Sequence, residues 1–294
     1  LKDVFCKILL PIIERGWMQI VCGGGEVGQA ATHLEDVATV HITGSHHTHD
    51  RIVWGDTAEE RQRRQLENDP LLKKPITSEL GNVSPWVFVP GNYSNRQLNF
   101  QANNLAASLV NNAAFNCITT RVIVTWRQWE QRESFLDALD QSLAQVPERT
   151  PYYPGTGDRF SRFTGVTPEA GADGQLPWLV MRDVDRQQMP QLFEDESFVS
   201  ACAEVQLDAE SPEDFLETAT DFCNAELFGT LAAAVTIPND FRRQQPEKVE
   251  RALSQLNYGS VCVNQWPGLV YGLMTPPWGA APDSDLANIQ SGSG

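Results

Sequence analysis

The chain has 294 residues, of which 41% are hydrophobic and 20% are charged, a composition typical of a soluble globular protein. This length allows about two domains with a substantial buried core. The formal net charge of −16 argues against nucleic acid or an anionic membrane surface as a partner, because both attract basic protein faces. No apolar run approaches the roughly 18 residues of a membrane-spanning helix, and the first residues lack the cleavage site of a signal peptide.

Six cysteines are spread along the chain without any CxxC pair. In a chain of this size the pattern predicts free thiols in a reducing compartment, and hence a cytoplasmic protein, rather than a disulfide framework or a zinc ribbon. The sequence begins at Leu1 and ends in SGSG, from which we expect a fragment of a longer protein.

The first 65 residues predict alternating helices and strands. Apolar residues recur at helical spacing over residues 3–14, and GWMQIVC, residues 16–22, is a candidate for a short buried strand. A glycine cluster then precedes a short helix over GQAATHL, the strand TVHIT and, after a turn at Gly44-Ser45, a helix through DTAEERQRRQLEN. This rhythm is typical of a parallel sheet, so the predicted fold class is α/β, with the strongest evidence in residues 1–145.

The rest of the chain continues the alternation. Strands are predicted at KKPITSELG, PWVFVP, TRVIVT, PWLVMRDV, SACAEVQL, LAAAVTI and SVCVN. Helices are predicted over residues 95–114 and 127–145, over SPEDFLETATDFCNAEL with Ser211 as its N-cap, and over QQPEKVERALSQL. Residues 152–177 are rich in Gly, Pro and Asp and predict a long surface excursion.

The string VCGGGEVGQA matches the pattern GxGxxG at Gly23, Gly25 and Gly28, between a predicted strand and a predicted helix. This is the position of a dinucleotide-binding fingerprint, in which the glycines let a pyrophosphate approach the backbone. The fingerprint also requires an acidic residue about 20 positions on, whereas the next strand here ends in Thr43-Gly44-Ser45. A plain tight turn is therefore an alternative to a pyrophosphate loop.

Four of the five histidines lie in VHITGSHHTHD, residues 40–50. Zinc requires three or four ligands on a fixed geometry, and the adjacent His46 and His47 diverge in direction whether the backbone is helix or strand. We therefore favour polar residues at a strand-to-helix turn, facing solvent or a ligand, over a metal site that would add His49 and Asp50.

Cys117 has the local context of a reactive thiol. It lies between a long amphipathic helix and a buried strand, where a rigid scaffold presents side chains to a cleft, and asparagine and threonine neighbours supply polar groups. The other five cysteines are better interpreted as small buried apolar residues. A nucleophilic cysteine needs a base, and every histidine precedes it at 33–49, so Glu79 in TSELGNVSPWVF is the alternative partner.

Taken together, these segments resemble the aldehyde dehydrogenase superfamily. The family's general-base string E-L-G-G-K-S-P is similar to ELGNVSP at 79–85, and its nucleophile segment is similar in part to NAAFNC at 112–117. The family's F-T-G-S turn and E-x-F motif resemble ITGS at 42–45 and ESF at 196–198. NAELFGTLAAAV resembles a further family segment, and order and rough spacing agree over about residues 18–280.

The resemblance implies NAD(P)-dependent oxidation of an aldehyde to a carboxylic acid through a cysteine thioester. Cys117 would attack the carbonyl carbon, and Glu79 would activate the water that hydrolyses the thioester. Family members that pass the acyl group to coenzyme A generally lack this glutamate, so its presence favours hydrolysis.

The resemblance also implies a set of cofactor-binding residues, while NAD and NADP are not distinguished. Glu196 would hold the nicotinamide ribose, and Phe198 would pack beside it. ITGSHHTHD would approach the nicotinamide nucleotide, and GGGEVG would form the turn near its adenine end. The remaining cofactor-binding residues that the resemblance implies are Thr43, Gly44, Ser45, Gly23, Gly25 and Gly28.

The implied architecture is a parallel-sheet, Rossmann-like partial nucleotide-binding domain over residues 1–80 and an α/β catalytic domain of the aldehyde dehydrogenase type over 81–294. The full-length form would be a homo-oligomer that takes a small-molecule aldehyde, with no metal. The sequence departs from the family at Asn82, Val83 and Ala114, where the family has Gly, Lys and Gly.

The front half of the family's nucleotide domain, which carries the asparagine of the oxyanion hole, has no counterpart here, nor has its C-terminal oligomerisation strand. Loss of one oxyanion donor costs about 3 kcal/mol of transition-state stabilisation. We therefore expect this polypeptide alone to be weakly active or inactive.

Two other classes of function stay open at this point. One is a catalytically degenerate module that keeps the dehydrogenase fold for assembly or binding. The other is a histidine-metal hydrolase, which predicts bound zinc or iron.

Overall fold

The computed structural model describes residues 2–168, 174–282 and 284–293, and it divides the chain into two compact units. The first unit comprises Leu1–His41 and His47–Thr77, and the second comprises Ile42–His46 and Ser78–Gly294. The boundary passes through two short strands, β1 (Val40–Thr43) and β2 (Ile76–Glu79), which form a two-stranded sheet.

The first unit is mainly helical. Its helices are α1 (Lys2–Ile8), α2 (Leu10–Glu14), α3 (Gly25–His33), α4 (His46–Trp54) and α5 (Ala58–Glu67). The first residue of α4, His46, is assigned to the second unit. The Thr57 hydroxyl accepts a hydrogen bond from the backbone N–H of Glu60 and so caps α5. Thr57 has the extended backbone conformation that is typical of an N-cap residue. The histidine-rich string passes from a strand to a helix, as expected, and it is helical from His46 onward.

The predicted buried strand at residues 16–22 is wrong. This segment has no regular secondary structure, and Trp17 and Val21 are 73% and 68% exposed. A strand requires a neighbour for its backbone N–H and C=O groups, and in the described part of the first unit only β1 and β2 belong to a sheet. The predicted strand TVHIT does form, as β1, and it pairs with β2. The N–H of Val40 donates to the carbonyl oxygen of Pro75 and the N–H of Gly44 donates to that of Glu79, so the two strands run parallel.

The larger parallel sheet lies in the second unit. Its strands are β3 (Ser84–Phe88), β4 (Thr120–Trp126), β5 (Leu179–Met181), β6 (Ala201–Leu207), β7 (Ala232–Thr236) and β8 (Ser260–Val263), in the spatial order β5-β6-β4-β3-β7-β8. Every adjacent pair is parallel. The predicted α/β class is confirmed, and the strands predicted between residues 75 and 264 all form.

Helices cover both faces of this sheet. They are α6 (Asn95–Val110), α7 (Arg132–Leu143), α8 (Thr156–Thr164), α9 (Gln191–Glu194), α10 (Pro212–Glu226), α11 (Asn239–Gln244), α12 (Pro246–Gln255) and α13 (Gly268–Leu273). Alternate residues of β4 point to opposite faces: Val122 and Val124 pack in the cluster that includes α10 and α12, and Ile123 packs in the cluster that includes α6 and α7. A strand buried on both faces is apolar throughout, which is why TRVIVT is recognisable in the sequence.

The prediction of a surface excursion over residues 152–177 is wrong in its first half, where α8 forms. Phe160 and Phe163 are buried, because their three-residue spacing places both on one face of this helix. The flanking glycines and prolines concealed that pattern. Residues 169–173 of the predicted excursion lie outside the described residues.

A buried ion pair ties α7 to the sheet. Glu204 on β6 is 0% exposed, and its two carboxylate oxygens accept hydrogen bonds from Nε and Nη2 of Arg132, at 2.8 and 2.6 Å. The backbone N–H of Asp183 and the hydroxyl of Thr125 also donate to this carboxylate. With both oxygens satisfied, the charge is tolerated in the interior.

We expect Glu204→Gln to lower the free energy of unfolding by about 3 kcal/mol, because it removes the buried counter-charge of Arg132 and leaves only the exposed Glu133 as a partner. Urea unfolding followed by circular dichroism measures the change. Asp140→Asn is the matched control, since it removes one partner of the more exposed Arg182 and should cost less than about 1 kcal/mol. Equal losses of unfolding free energy in the two variants would contradict the conclusion that the Glu204–Arg132 pair ties α7 to the sheet.

Candidate active site

A cleft of about 920 Å³ lies in the second unit, at the edge where the strands of its sheet begin. Because all six strands are parallel, the segments that enter them share one edge. Three such segments line the cleft: 79–81 before β3, 112–117 before β4, and 196–198 before β6. The lining residues are Thr43, Gly44, Ser45, Glu79, Leu80, Gly81, Asn112, Phe115, Asn116, Cys117, Tyr153, Pro154, Gly155, Thr156, Asp158, Arg159, Arg162, Glu196 and Phe198.

The backbone that leads to Cys117 is strained. Asn112, Ala113 and Ala114 have φ values of 53°, 57° and 67°, three consecutive residues in the left-handed region. Asparagine tolerates this region better than most residues, whereas alanine is disfavoured there by about 1 kcal/mol or more. Ala114 thus stands in a conformation that suits the glycine of the resembling family.

Arg121, at the start of β4, holds this left-handed segment in place. Its Nη2 donates to the carbonyl oxygen of Ala114 at 2.7 Å, and its Nη1 donates to that of Val199 at 2.6 Å. The side chain is buried, and burial lowers the guanidinium pKa to about 10. One buried cation therefore fixes the nucleophile loop relative to the segment that carries Glu196.

Asn112→Val should destabilise the protein by about 1–2 kcal/mol or more, because a β-branched side chain is poorly tolerated at positive φ. Asn111→Val is the matched control: this neighbour is also exposed, but its φ of −55° and ψ of 130° suit valine. Thermal unfolding of the two variants side by side checks the difference. A control variant that loses as much stability would show that the strain is absent.

Cys117 and Glu79 face each other across the floor of the cleft. The Cys117 Sγ lies 3.8 Å from Oε1 of Glu79 and 3.8 Å from Oδ1 of Asn116. Burial raises the thiol pKa to about 12, and the carboxylates of Glu196 and Glu79 add to the shift. The thiol is therefore neutral at pH 7 and needs a base or a nearby positive charge to become a thiolate.

Residues far along the chain hold Glu79 in position. Its Oε1 accepts a hydrogen bond from the indole N–H of Trp278 at 2.8 Å. Its backbone forms an antiparallel bridge with Gly292, and the Leu80 N–H donates to the carbonyl oxygen of Ser291 at 2.8 Å. The Ser291 hydroxyl, which is fully buried, donates to the carbonyl oxygen of Gly81 at 2.9 Å.

Asn82 replaces a family glycine without leaving an unpaired polar group. Its side-chain amide is buried and donates to the Ser84 hydroxyl at 2.8 Å and to the carbonyl oxygen of Ala232 at 3.0 Å. Its Oδ1 accepts from the backbone N–H of Leu231 at 3.3 Å. This departure from the family string is therefore accommodated by new hydrogen bonds between the entry of β3 and the entry of β7.

Glu196 is a second acid in the cleft. Its Oε1 atom is buried and has no hydrogen-bond partner among the described residues. Burial raises its pKa to about 7, against the opposing charges of Arg121 and Arg159. A buried acceptor without a donor costs free energy unless a ligand supplies one, so this oxygen fits a ligand hydroxyl.

Gly81 allows Glu196 to approach this closely. A Cβ atom at position 81 would lie 2.4 Å from Oε2 of Glu196, well inside van der Waals contact. The glycine of the string ELG therefore makes room for the carboxylate at the other side of the cleft.

Aromatic side chains form one wall of the cleft. Phe198, whose φ is 49°, contacts Phe115 and Tyr153 with ring centroids 5.5 and 5.8 Å apart. The helix α8 adds Arg159 and Arg162, one turn apart, and Arg159 Nε donates to the carbonyl oxygen of Ser197 at 2.7 Å. The sequence analysis did not predict Tyr153 or the two arginines as site residues. For the arginines, the i, i+3 spacing in GDRFSRF was the available signal.

The structure brings together seven of the ten predicted site residues. Those that line the cleft are Thr43, Gly44, Ser45, Glu79, Cys117, Glu196 and Phe198. Gly23, Gly25 and Gly28 are not among the lining residues and belong to the first unit, where Gly25 and Gly28 are part of α3. No strand precedes them in the structure, so the strand–turn–helix context of a dinucleotide fingerprint is absent from these described residues.

Three of the histidines have the following contacts. The ring of His46 packs against Phe228 with centroids 4.4 Å apart, and His49 is buried with Nδ1 3.1 Å from the carboxylate of Asp50. His41 Nδ1 lies 2.8 Å from the hydroxyl of Thr77. None of the helices in the described part of the chain is long and apolar enough to cross a membrane.

The raised pKa of Glu196 predicts a pH-dependent stability. Its folded-state pKa of about 7 exceeds its ordinary value of 4.5, so its contribution is full below pH 4.5 and is lost as the pH rises through 7. Glu196→Gln, which mimics the neutral acid, should be more stable than the wild type by the order of 1–3 kcal/mol at pH 8.5 and about equal to it at pH 4.5. Chemical unfolding at both pH values checks this, and a pH-independent difference would contradict it.

Comparison with known proteins identifies the fold. No family model and no curated protein sequence matches the chain. Among solved structures, the aldehyde dehydrogenase KauB from Pseudomonas aeruginosa is 22% identical, with a TM-score of 0.66 over 93% of this chain and 52% of that one. An indole-3-acetaldehyde dehydrogenase from P. syringae, in complex with NAD+, gives the same identity, TM-score and coverage.

Betaine aldehyde dehydrogenase from Staphylococcus aureus, also in complex with NAD+, is 17% identical, with a TM-score of 0.65 over 93% of this chain and 52% of that one. The chain therefore spans about half the length of the structures it resembles. At these identities the likeness establishes the fold: the predicted aldehyde dehydrogenase architecture is confirmed, and the chemistry depends on the site.

Proposed function

We propose that the chain carries the catalytic machinery of an NAD(P)-dependent aldehyde dehydrogenase that forms a carboxylic acid through a thioester on Cys117. The observation that carries this proposal is the 3.8 Å separation of the Cys117 thiol and the Glu79 carboxylate in one cleft. A nucleophile within reach of a base is the arrangement that covalent acyl chemistry requires.

The side chains have distinct roles in this proposal. Glu79 takes the proton of the Cys117 thiol, and the thiolate adds to the aldehyde carbonyl carbon to give a tetrahedral oxyanion. The backbone N–H of Cys117 is one donor for that oxyanion. After oxidation, Glu79 releases this first proton to solvent and then takes a proton from water, and the resulting hydroxide attacks the thioester. The thiolate leaves and regains its proton from Glu79, so the carboxylic acid departs as the thiol is restored.

The residues of the cleft fit a nicotinamide nucleotide. The unpartnered Oε1 of Glu196 suits a ribose hydroxyl, Phe198 offers an aromatic surface, and Thr43–Ser45 supply backbone and hydroxyl groups to the same cleft. When bound, the oxidised nicotinamide supplies the acceptor for the aldehyde hydride, and its positive charge would favour the thiolate. NAD and NADP are not distinguished by these groups.

The wider proposal includes a small-molecule aldehyde as substrate, a functional division between residues 1–80 and 81–294 and a homo-oligomeric full-length form, all of which follow from the same resemblance. A cytoplasmic location follows separately from the pattern of free cysteines. Gly23, Gly25 and Gly28 remain candidates for the turn near the adenine end of the cofactor.

The proposal predicts a cofactor-sensitive thiol at Cys117. In the apo chain its alkylation by iodoacetamide should rise about tenfold per pH unit from pH 7 to 10 without a plateau, because a thiol of pKa about 12 is mostly protonated there. Addition of NAD+ should change the rate at neutral pH. Alkylation is followed for each cysteine by peptide mass spectrometry.

Two controls make this measurement specific. Cys262, a half-buried cysteine on β8 outside the cleft, should not respond to NAD+, nor should the exposed Cys22. Glu79→Gln should speed alkylation of Cys117 in the apo chain, because it removes a carboxylate that raises the thiol pKa, whereas Glu194→Gln, which alters an exposed acid on α9, should not change the rate. A Cys117 thiol that ignores both NAD+ and the loss of Glu79 would favour a catalytically degenerate module of the same fold.

A further inference from the structure

The general base in the proposed function has a hydrogen-bond partner that no sequence motif identified. The indole N–H of Trp278 donates to Oε1 of Glu79 at 2.8 Å, and this is the same oxygen that lies 3.8 Å from the Cys117 sulfur. We propose that Trp278 is a positioning residue, which fixes the Glu79 carboxylate over the Cys117 thiol for proton transfer. This inference rests on the proposed function of that site.

A free glutamate side chain has three rotatable bonds and loses considerable rotamer freedom when it is fixed in one orientation. An indole N–H is a donor only, on a rigid ring, so it can hold one carboxylate oxygen without competing for a proton. With Oε1 held beside the thiol, the carboxylate is ready both to accept the thiol proton and to orient a water.

Trp278 is itself held firmly from two sides. The backbone N–H of Ala281 donates to the carbonyl oxygen of Thr230 at 3.0 Å, which ties the segment to the entry of β7. A Cβ atom at Gly259 would lie only 1.9 Å from the carbonyl oxygen of Gly279, so the chain next to Trp278 packs directly on the backbone before β8. The Trp278 ring also contacts Tyr271 edge-on, with centroids 5.5 Å apart.

The chain contains a matched control for this tryptophan. Trp266 packs in the same apolar cluster with Cys117 and Ile118, is also half-buried, and donates its indole N–H at the same distance of 2.8 Å. Its acceptor, however, is the backbone carbonyl oxygen of Ile118 and not Glu79. Trp266→Phe therefore removes an equal ring donor beside the nucleophile while leaving the base untouched.

The first experiment measures hydrolysis of p-nitrophenyl acetate by the full chain, a reaction that needs no cofactor. The Cys117 thiolate attacks the ester carbonyl and expels p-nitrophenolate in a burst, and water then cleaves the thioester to acetate and restores the thiol. Trp278→Phe should slow both the burst phase and the following steady-state rate, each about tenfold, because Glu79 serves as the base in both steps. Trp266→Phe should change either rate less than twofold.

The double variant Glu79→Gln/Trp278→Phe separates positioning from a general loss of structure. If Trp278 acts only through Glu79, the double variant is no slower than Glu79→Gln alone. An additional tenfold loss in the double variant would overturn the proposal, as would a Trp278→Phe enzyme that matches the wild type while Glu79→Gln is slow. No burst at all, or no effect of Glu79→Gln, would count against the proposed function itself.

The second experiment detects the hydrogen bond without removing Trp278, so it does not depend on the folding of that variant. In an NMR spectrum of the ¹⁵N-labelled chain, the Trp278 indole signal should be protected from solvent exchange and should shift in Glu79→Gln, while the Trp266 signal stays in place. The exposed Trp17 provides the reference for fast exchange. A Trp278 signal that exchanges as fast as that of Trp17 and ignores Glu79→Gln would overturn the inference.

Discussion

The parallel arrangement of six strands is the constraint on which the site depends. Because every strand runs in the same direction, the segments that enter β3, β4 and β6 meet at one edge, and each contributes one chemical group to the cleft. Ligands of open α/β sheets usually bind at the carboxyl ends of the strands. Here the candidate site lies at the amino ends, so Cys117 reaches it on the loop before its strand. That loop reaches the cleft through three left-handed residues, which the buried Arg121 holds.

The electrostatics around Cys117 follow from placing its thiol close to two carboxyl groups, those of Glu79 and Glu196, within a partly buried volume. Each carboxylate disfavours the thiolate, and burial keeps Glu196 close to half protonated near pH 7. The cleft therefore carries less negative charge than its composition implies. A positively charged ring bound there would reverse the balance and favour the thiolate, which is the coupling that a cofactor-dependent nucleophile needs.

The sequence predicted most of the parallel sheet and the proximity of Cys117 and Glu79, for identifiable physical reasons. Doubly buried strands such as TRVIVT are continuous apolar runs, and the string ELG before β3 and the cysteine before β4 stand at element ends. It did not predict contacts between residues distant in the chain, such as those of Trp278 and Ser291 with the 79–81 segment. The prediction for residues 16–22 was wrong because an apolar run forms a buried strand only when a partner strand exists. Helix α8 was missed because its two buried phenylalanines lie between glycine- and proline-rich flanks.

The raised pKa of Cys117 has a consequence for the lifetime of the protein. Peroxides attack thiolates far faster than neutral thiols, and the first product, a sulfenic acid, leads on to irreversibly oxidised forms. A sulfur that stays protonated between encounters with its ligands is therefore shielded from oxidative damage. The burial that raises the pKa of the Cys117 thiol therefore also protects its sulfur from oxidation.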